Sequence, residues 1–199
     1  MAGSWELLKD ITLGVAGDKL DSGTITNPKR YLRVEIHTIA TGGTIKENIT
    51  FNNSSGNEYA RRRSNNGASD SLDNTQPQLE VYGDTTQDRY LVMNIGNIAD
   101  REKLVIGQYN VNTAGAGNPP DRSEFVGKWV NTSALITQIE CDNNGTGNYD
   151  AGSQMTIWGA DDAPLVYPNL PNGTIFNETD AYKYFMFDGT DTWNQMVSS

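Results

Sequence analysis

The chain has 199 residues, with 25 Asp or Glu against 15 Lys or Arg and a formal net charge of −10. That length can hold one sizeable core plus an appendage. The acidity argues against nucleic acid and against insertion at an anionic membrane surface, both of which call for clustered Lys and Arg, and a single cysteine, Cys141, excludes an intrachain disulfide.

The opening stretch, MAGSWELLKDITLG, has no basic segment followed by an apolar one, so no signal peptide is expected. The reading is a chain made in a reducing cytoplasm, which could still act outside a cell if it leaves by lysis. Within it, WELLKDITL is expected as the first strand. YLRVEIHTI alternates: Leu32, Val34 and Ile36 share one face, and Tyr31, Arg33, Glu35 and His37 share the other. That pattern predicts a strand with one wet face. GNEYARRRS is read as one or two turns. QLEVYG, RYLVMNIGNI, EKLVIGQYNV, EFVGKWV, ALITQIEC and SQMTIWG follow as strands, the second of them central because it is the most apolar. Asn/Gly-rich breaks separate them. No long 3.6-residue pattern and no run near 18 apolar residues occurs, so neither βαβ units nor a membrane span is expected. The fold class is all-β: an antiparallel β-sandwich, jelly-roll-like, over 1–162.

Pro164, Pro168 and Pro171 mark a boundary. Proline lacks the ladder donor, so this stretch should run extended. Residues 163–199 are then a proline-rich linker and an aromatic C-terminal β-hairpin, with strands near TIFNE, YKYFMFDG and TWNQMV and a tight turn at DGTD. So small a unit is marginal alone in water. Phe176, Tyr182, Tyr184, Phe185, Phe187 and Trp193 must pack on something, either the main domain or the same segment of another subunit.

Candidate chemistry is sparse. His37, the one histidine, sits on a wet strand face, and Cys141 alternates with Leu135, Thr137 and Ile139 as a small buried hydrophobe would. A His/Cys metal centre fails on ligand count. In DNNGTGNYDAGS, Asp142, Asn144, Thr146 and Asp150 could offer calcium oxygens, but Ser153 stands where a bidentate Glu is expected, and a plain Asn-Gly turn competes. The adjacent acids Asp161 and Asp162 would point to opposite faces of a strand, which is unsuited to a glycosidase pair. Arg61, Arg62 and Arg63 form the one basic cluster, read either as a solvated turn whose arginines pair with local acids or as a contact to acidic groups of a neighbouring subunit. Tyr59, Tyr82, Tyr109, Tyr149 and the tail aromatics are candidate platforms for sugar rings, against the alternative that they are core. Seven Asn-x-Ser/Thr sequons, such as Asn48 and Asn131, are expected by chance in so Asn/Thr-rich a chain.

The ending LPNGTIFNETDAYKYFMFDGTDTWNQM resembles a short hairpin that recurs in structural proteins of tailed phages, near fibre or adhesin ends, through Asn172, Gly173, Phe176, Thr179, Asp180, Lys183, Phe187, Asp188, Gly189 and Trp193. The body is similar to small proteins encoded among marine phage virion genes, in WELLKDITLGVAGD, YLRVEI, NEYARRRSNNGASDS, EKLVIGQ, NTAGAGNPPDRSEFVGKWVNTSALIT and GSQMTIWG. The resemblance implies a non-enzymatic virion protein: a capsid decoration, cement or head-fibre component. The alternative is a tail-fibre or receptor-binding protein for host surface glycans. No catalytic residue, metal or cofactor is carried over. Expected partners are further copies of the chain, as a trimer, and virion proteins such as the major capsid protein. The expected contact residues are Phe176, Tyr184, Phe187, Trp193, Arg61, Arg62 and Arg63.

Overall fold

A computed structural model describes residues 4–81, 83–162, 172–178, 183–189 and 192–196. The chain divides into two compact units, Met1–Asp162 and Ala163–Ser199. The described residues contain no helix, and all paired strands are antiparallel. The expected extended run through Pro164, Pro168 and Pro171 lies outside the described residues, as do Tyr82, Thr179, Asp180 and Tyr182.

The first unit is a sandwich of unequal layers. Eight strands form the larger sheet: β1 (Glu6–Thr12), β3 (Tyr31–Thr38), β6 (Tyr59–Asn65), β7 (Ser71–Gln76), β9 (Arg89–Gly96), β10 (Lys103–Val111), β11 (Asp121–Trp129) and β14 (Gln154–Ala160). Their spatial order is β1-β14-β3-β9-β10-β11-β6-β7. The smaller sheet has the order β2-β12-β5-β8, from β2 (Lys19–Asp21), β5 (Glu47–Phe51), β8 (Leu79–Glu80) and β12 (Ile139–Asn143). A two-stranded ladder joins β4 (Ala40–Thr41) to β13 (Asn148–Tyr149).

Alternation decides which side chains enter the core. Leu32, Val34 and Ile36 of β3, Leu91, Met93 and Ile95 of β9 and Met155 and Ile157 of β14 share one buried cluster with Leu20, Ile49, Phe51, Ile139 and Cys141 of the smaller sheet. Aromatic rings cross between the layers. Phe51 lies 6.0 Å from Tyr59 and 5.9 Å from Trp129, and the backbone N–H of Phe51 donates to the Tyr59 hydroxyl at 2.9 Å. A buried ion pair, Glu47 with Arg89, sits in the same interior. There the Thr38 hydroxyl donates to Glu47, and Arg89 also reaches the carbonyls of Ile45 and Gly83.

Two local expectations are corrected. GNEYARRRS is no turn: Tyr59–Asn65 is strand β6, paired with β11 and β7. ALITQIEC is a strand only from Ile139 onward. Before it, side-chain amides take over the role of a ladder. Asn52 Oδ1 accepts the N–H groups of Thr137 and Gln138, and Asn97 Oδ1 accepts that of buried Ile136.

The second unit is a three-stranded sheet in the order β15 (Ile175–Glu178), β16 (Lys183–Phe187) and β17 (Trp193–Met196). Gly189, at φ 85°, supplies the left-handed residue after β16 that a non-glycine side chain would strain. Beside it the N–H of Asp188 donates to the carbonyl of Thr192 at 3.0 Å.

Candidate functional site

The groups that suggested chemistry are engaged inside the fold. Cys141 is fully buried, with Sγ 3.4 Å from the Tyr149 hydroxyl, and burial pushes its thiol far above the ordinary range. His37 is exposed on β3. In the loop weighed for calcium, Asp142 pairs with Lys19 at 3.2 Å and Asp150 accepts the N–H of Ala151. Asn143 Oδ1 accepts from the N–H groups of Lys46 and Gly145, and Thr146 Oγ1 accepts from Thr44 N–H. A Cβ at Gly147 would lie 2.5 Å from the Thr41 carbonyl oxygen, so glycine lets this loop close onto the Thr41–Lys46 segment. Among the described residues, no three His, Cys, Asp or Glu side chains gather as a metal-holding group. Asp161 accepts the N–H of Arg30 and pairs with Lys29, and those two contacts hold its carboxyl below the usual range. Asp162 pairs with Arg30 and accepts the Tyr31 hydroxyl.

The three arginines are split by strand alternation. Arg61 is buried with Asp73 and Glu80, while Arg63 lies between Glu80 and the Val81 carbonyl. Arg62 alone faces outward, 3.0 Å from Asp70. Tyr59, Tyr109 and Tyr149 are buried, which removes them as sugar platforms: each points into the interior that its own strand closes.

Among the described residues, exposed apolar side chains gather in two places. The first is the outer face of the eight-stranded sheet. Register aligns one residue from each strand into a single row: Leu7, Trp158, Arg33, Asn94, Ile106, Val126, Arg62 and Leu72. Ile106 is 65% exposed and Leu104, on the adjacent row of β10, is 61% exposed. Cations on this face already have acids beside them: Arg62 with Asp70, Arg33 with Glu35, Arg122 with Glu124 and Lys128 with Glu102. The face is thus nearly neutral despite the chain's acidity. Two adjoining hollows lie on it. One, of about 500 Å³, runs from Arg62 and Asp70 to Asn94 and Ile106. The other, of about 470 Å³, runs from Asn94 and Ile106 to Leu104, Tyr31 and Trp5.

The second place is the C-terminal sheet. Phe176, Phe185, Phe187 and Trp193 share one face, with Phe187–Trp193 centroids 5.2 Å apart and Phe176–Trp193 6.1 Å apart and edge-on. Phe187 is buried and Trp193 partly so. Ile175, Tyr184, Met186 and Met196 occupy the opposite face, and Ile175 and Tyr184 are 56% and 50% exposed. The described strands of this unit form one layer with apolar side chains on both sides, and a sheet buries an apolar face by packing it against another layer. Of the residues expected at a contact, Phe176, Tyr184 and Arg62 are exposed, whereas Phe187 and Arg61 are buried.

The exposed row on the larger sheet is the surface that sequence reading missed. Its signal was the continuous run Leu104-Val105-Ile106 beside Phe125-Val126, since a strand apolar on both faces ordinarily has both covered. No family model matches the chain, and no curated protein or solved structure matches it either.

Proposed function

We propose that this chain is a non-enzymatic structural protein of a tailed-phage virion, a capsid-decoration, cement or head-fibre component, that assembles with itself as a trimer through its C-terminal sheet. The observation that supports it best is the double apolar character of that sheet: aromatic on one side, and Ile175, Tyr184, Met186 and Met196 on the other. Apolar side chains left in water on a sheet this small carry a cost, and covering the open face with copies of itself removes it. The phage assignment rests on the resemblance of the Asn172–Trp193 segment to phage hairpins. The major capsid protein is the expected surface for the assembled form.

The test is to raise antibodies against the chain, label purified particles of the phage that encodes it and count copies by quantitative mass spectrometry. Hundreds of copies on the head support decoration. Absence from particles contradicts the virion reading.

A second reading, receptor binding at a tail tip, is favoured by the hollow where the rings of Trp5 and Tyr31 adjoin Asn94. Aromatic faces beside amides suit sugar rings. A few to tens of copies per particle, and binding of host envelope glycans without release of reducing ends, would select it over decoration.

A further inference from the structure

We propose that the outer face of the eight-stranded sheet is an isologous docking surface for a second copy of this chain, separate from any contact made by the C-terminal sheet. The central row runs Arg33, Asn94, Ile106, Val126, Arg62 across five adjacent strands. A twofold axis along that row, in the plane between two copies, sets each row residue against its own counterpart. Residues two positions to one side then meet those two positions to the other.

The face is complementary to itself under that operation. Ile106 and Val126 meet their own counterparts at the centre, where they replace water with apolar contact. The Asn94 amide, exposed and without a hydrogen bond among the described residues, meets a second Asn94, and an amide offers the donor and the acceptor such a pair needs. Glu124 and Lys128 lie two positions either side of Val126 on β11, so each meets the other's counterpart. With Arg122 and Glu102 they form two symmetric four-charge chains at the rim. Val92 likewise meets Gly96, whose missing side chain leaves a notch. The arginines that meet on the axis carry their own counterions, Arg62 with Asp70 and Arg33 with Glu35.

Size agrees with this. Eight strands about 4.8 Å apart, each about seven residues long at about 3.3 Å per residue, cover about 900 Å². A stable specific interface needs about 800 Å² per partner. Two twisted sheets meeting face to face pack with strand directions within about 30° of each other, which keeps β10 and β11 in contact at the centre.

The experiment is light scattering on the full-length chain and three variants, with circular dichroism to show that each is folded. Ile106→Asp is expected to halve the particle mass while the chain stays folded, because the side chain it replaces is exposed on a single copy. Glu124→Lys alone, which sets lysines against lysines, is expected to halve it too. Glu124→Lys and Lys128→Glu combined with Arg122→Glu and Glu102→Lys reverse the whole four-charge chain, restore opposite charges within and across the copies, and should return the wild-type mass. Halving is expected whether the starting particle is a dimer or a larger assembly held together by the C-terminal sheet, so failure of the trimer reading does not mask this result. A wild-type mass unmoved by Ile106→Asp overturns the proposal, as does a variant with all four charges reversed that stays at half mass. Loss of glycan binding with mass unchanged overturns it as well and assigns the face to sugar.

Discussion

The two units handle aromatic side chains in opposite ways. In Met1–Asp162, Phe51 of the smaller sheet and Tyr59 and Trp129 of the larger meet between layers and are all but inaccessible. In Ala163–Ser199, Phe176, Phe185, Phe187 and Trp193 cluster on one side of a single layer, and Phe176 stays 54% exposed. The clusters are chemically alike. Two layers can hide a ring on both sides, whereas the described strands of the second unit form one layer, which hides it on one side. The first unit should therefore carry its stability internally, and the second should draw on association.

That contrast is broken most severely in the interior. Trp129→Ala removes a ring packed on Phe51 and Tyr59 and the indole N–H that donates to Glu58 at 2.9 Å. It is expected to cost about 3–5 kcal/mol, read as a fall in the urea midpoint. Glu47→Ala strands the Arg89 guanidinium in the core and belongs to the same class, about 3–5 kcal/mol. A loss below about 1 kcal/mol for either, the size of an exposed contact, would mean that the first unit is not the self-sufficient one.

Alkali should act on the first unit through its buried hydroxyls and thiol. Burial raises Tyr59 to about 12 and pushes Tyr149 and Cys141 further still, whereas Tyr184 of the second unit is half exposed. Above pH about 9–10 these groups ionise in the unfolded chain but stay protonated in the folded one. The unfolded state then binds fewer protons, and stability falls with rising pH, by up to about 1.4 kcal/mol per pH unit for each group. The urea midpoint of the first unit should drop steadily from pH 9 to 11. A flat profile across that window would contradict the burial described for Tyr59.

Trp193→Ala tests the other side. Substitution at this partly buried ring, against Phe176 and Phe187, should lower the particle mass while the midpoint of the first unit moves by less than about 0.5 kcal/mol. Unchanged mass and an unchanged melt would make Trp193 a free surface aromatic and move weight to sugar stacking. The smallest effect is expected at Arg62→Ala, whose ion pair with Asp70 is exposed and is worth about 0–1 kcal/mol. Arg61→Ala, one residue away and buried with Asp73 and Glu80, should cost several times more.

Much of the frame was legible in sequence because alternation reports a half-buried strand. Leu32, Val34 and Ile36 enter the core as their spacing implies, and RYLVMNIGNI lies inside the larger sheet. Alternation failed where burial is polar. All five residues of β5, Glu-Asn-Ile-Thr-Phe, are buried, but Glu47 is hidden only because Arg89, distant in sequence, neutralises it. β6 was missed because arginines on both of its faces find acids on β7 and β8 or in the loop before β7. Residues 134–138 look like strand by composition, but Asn52 and Asn97 supply the hydrogen bonds that a neighbouring strand would have made. The row through Ile106 and Val126 was readable as apolar but not as exposed, since exposure depends on what covers a face.

The function we propose for this chain is assembly rather than reaction. Multi-angle light scattering of the full-length protein across the micromolar range tests it most directly. Association predicts a particle several times the 21.8 kDa of one chain, stable to dilution and smaller in Trp193→Ala. A monodisperse 21.8 kDa monomer throughout that range would contradict it.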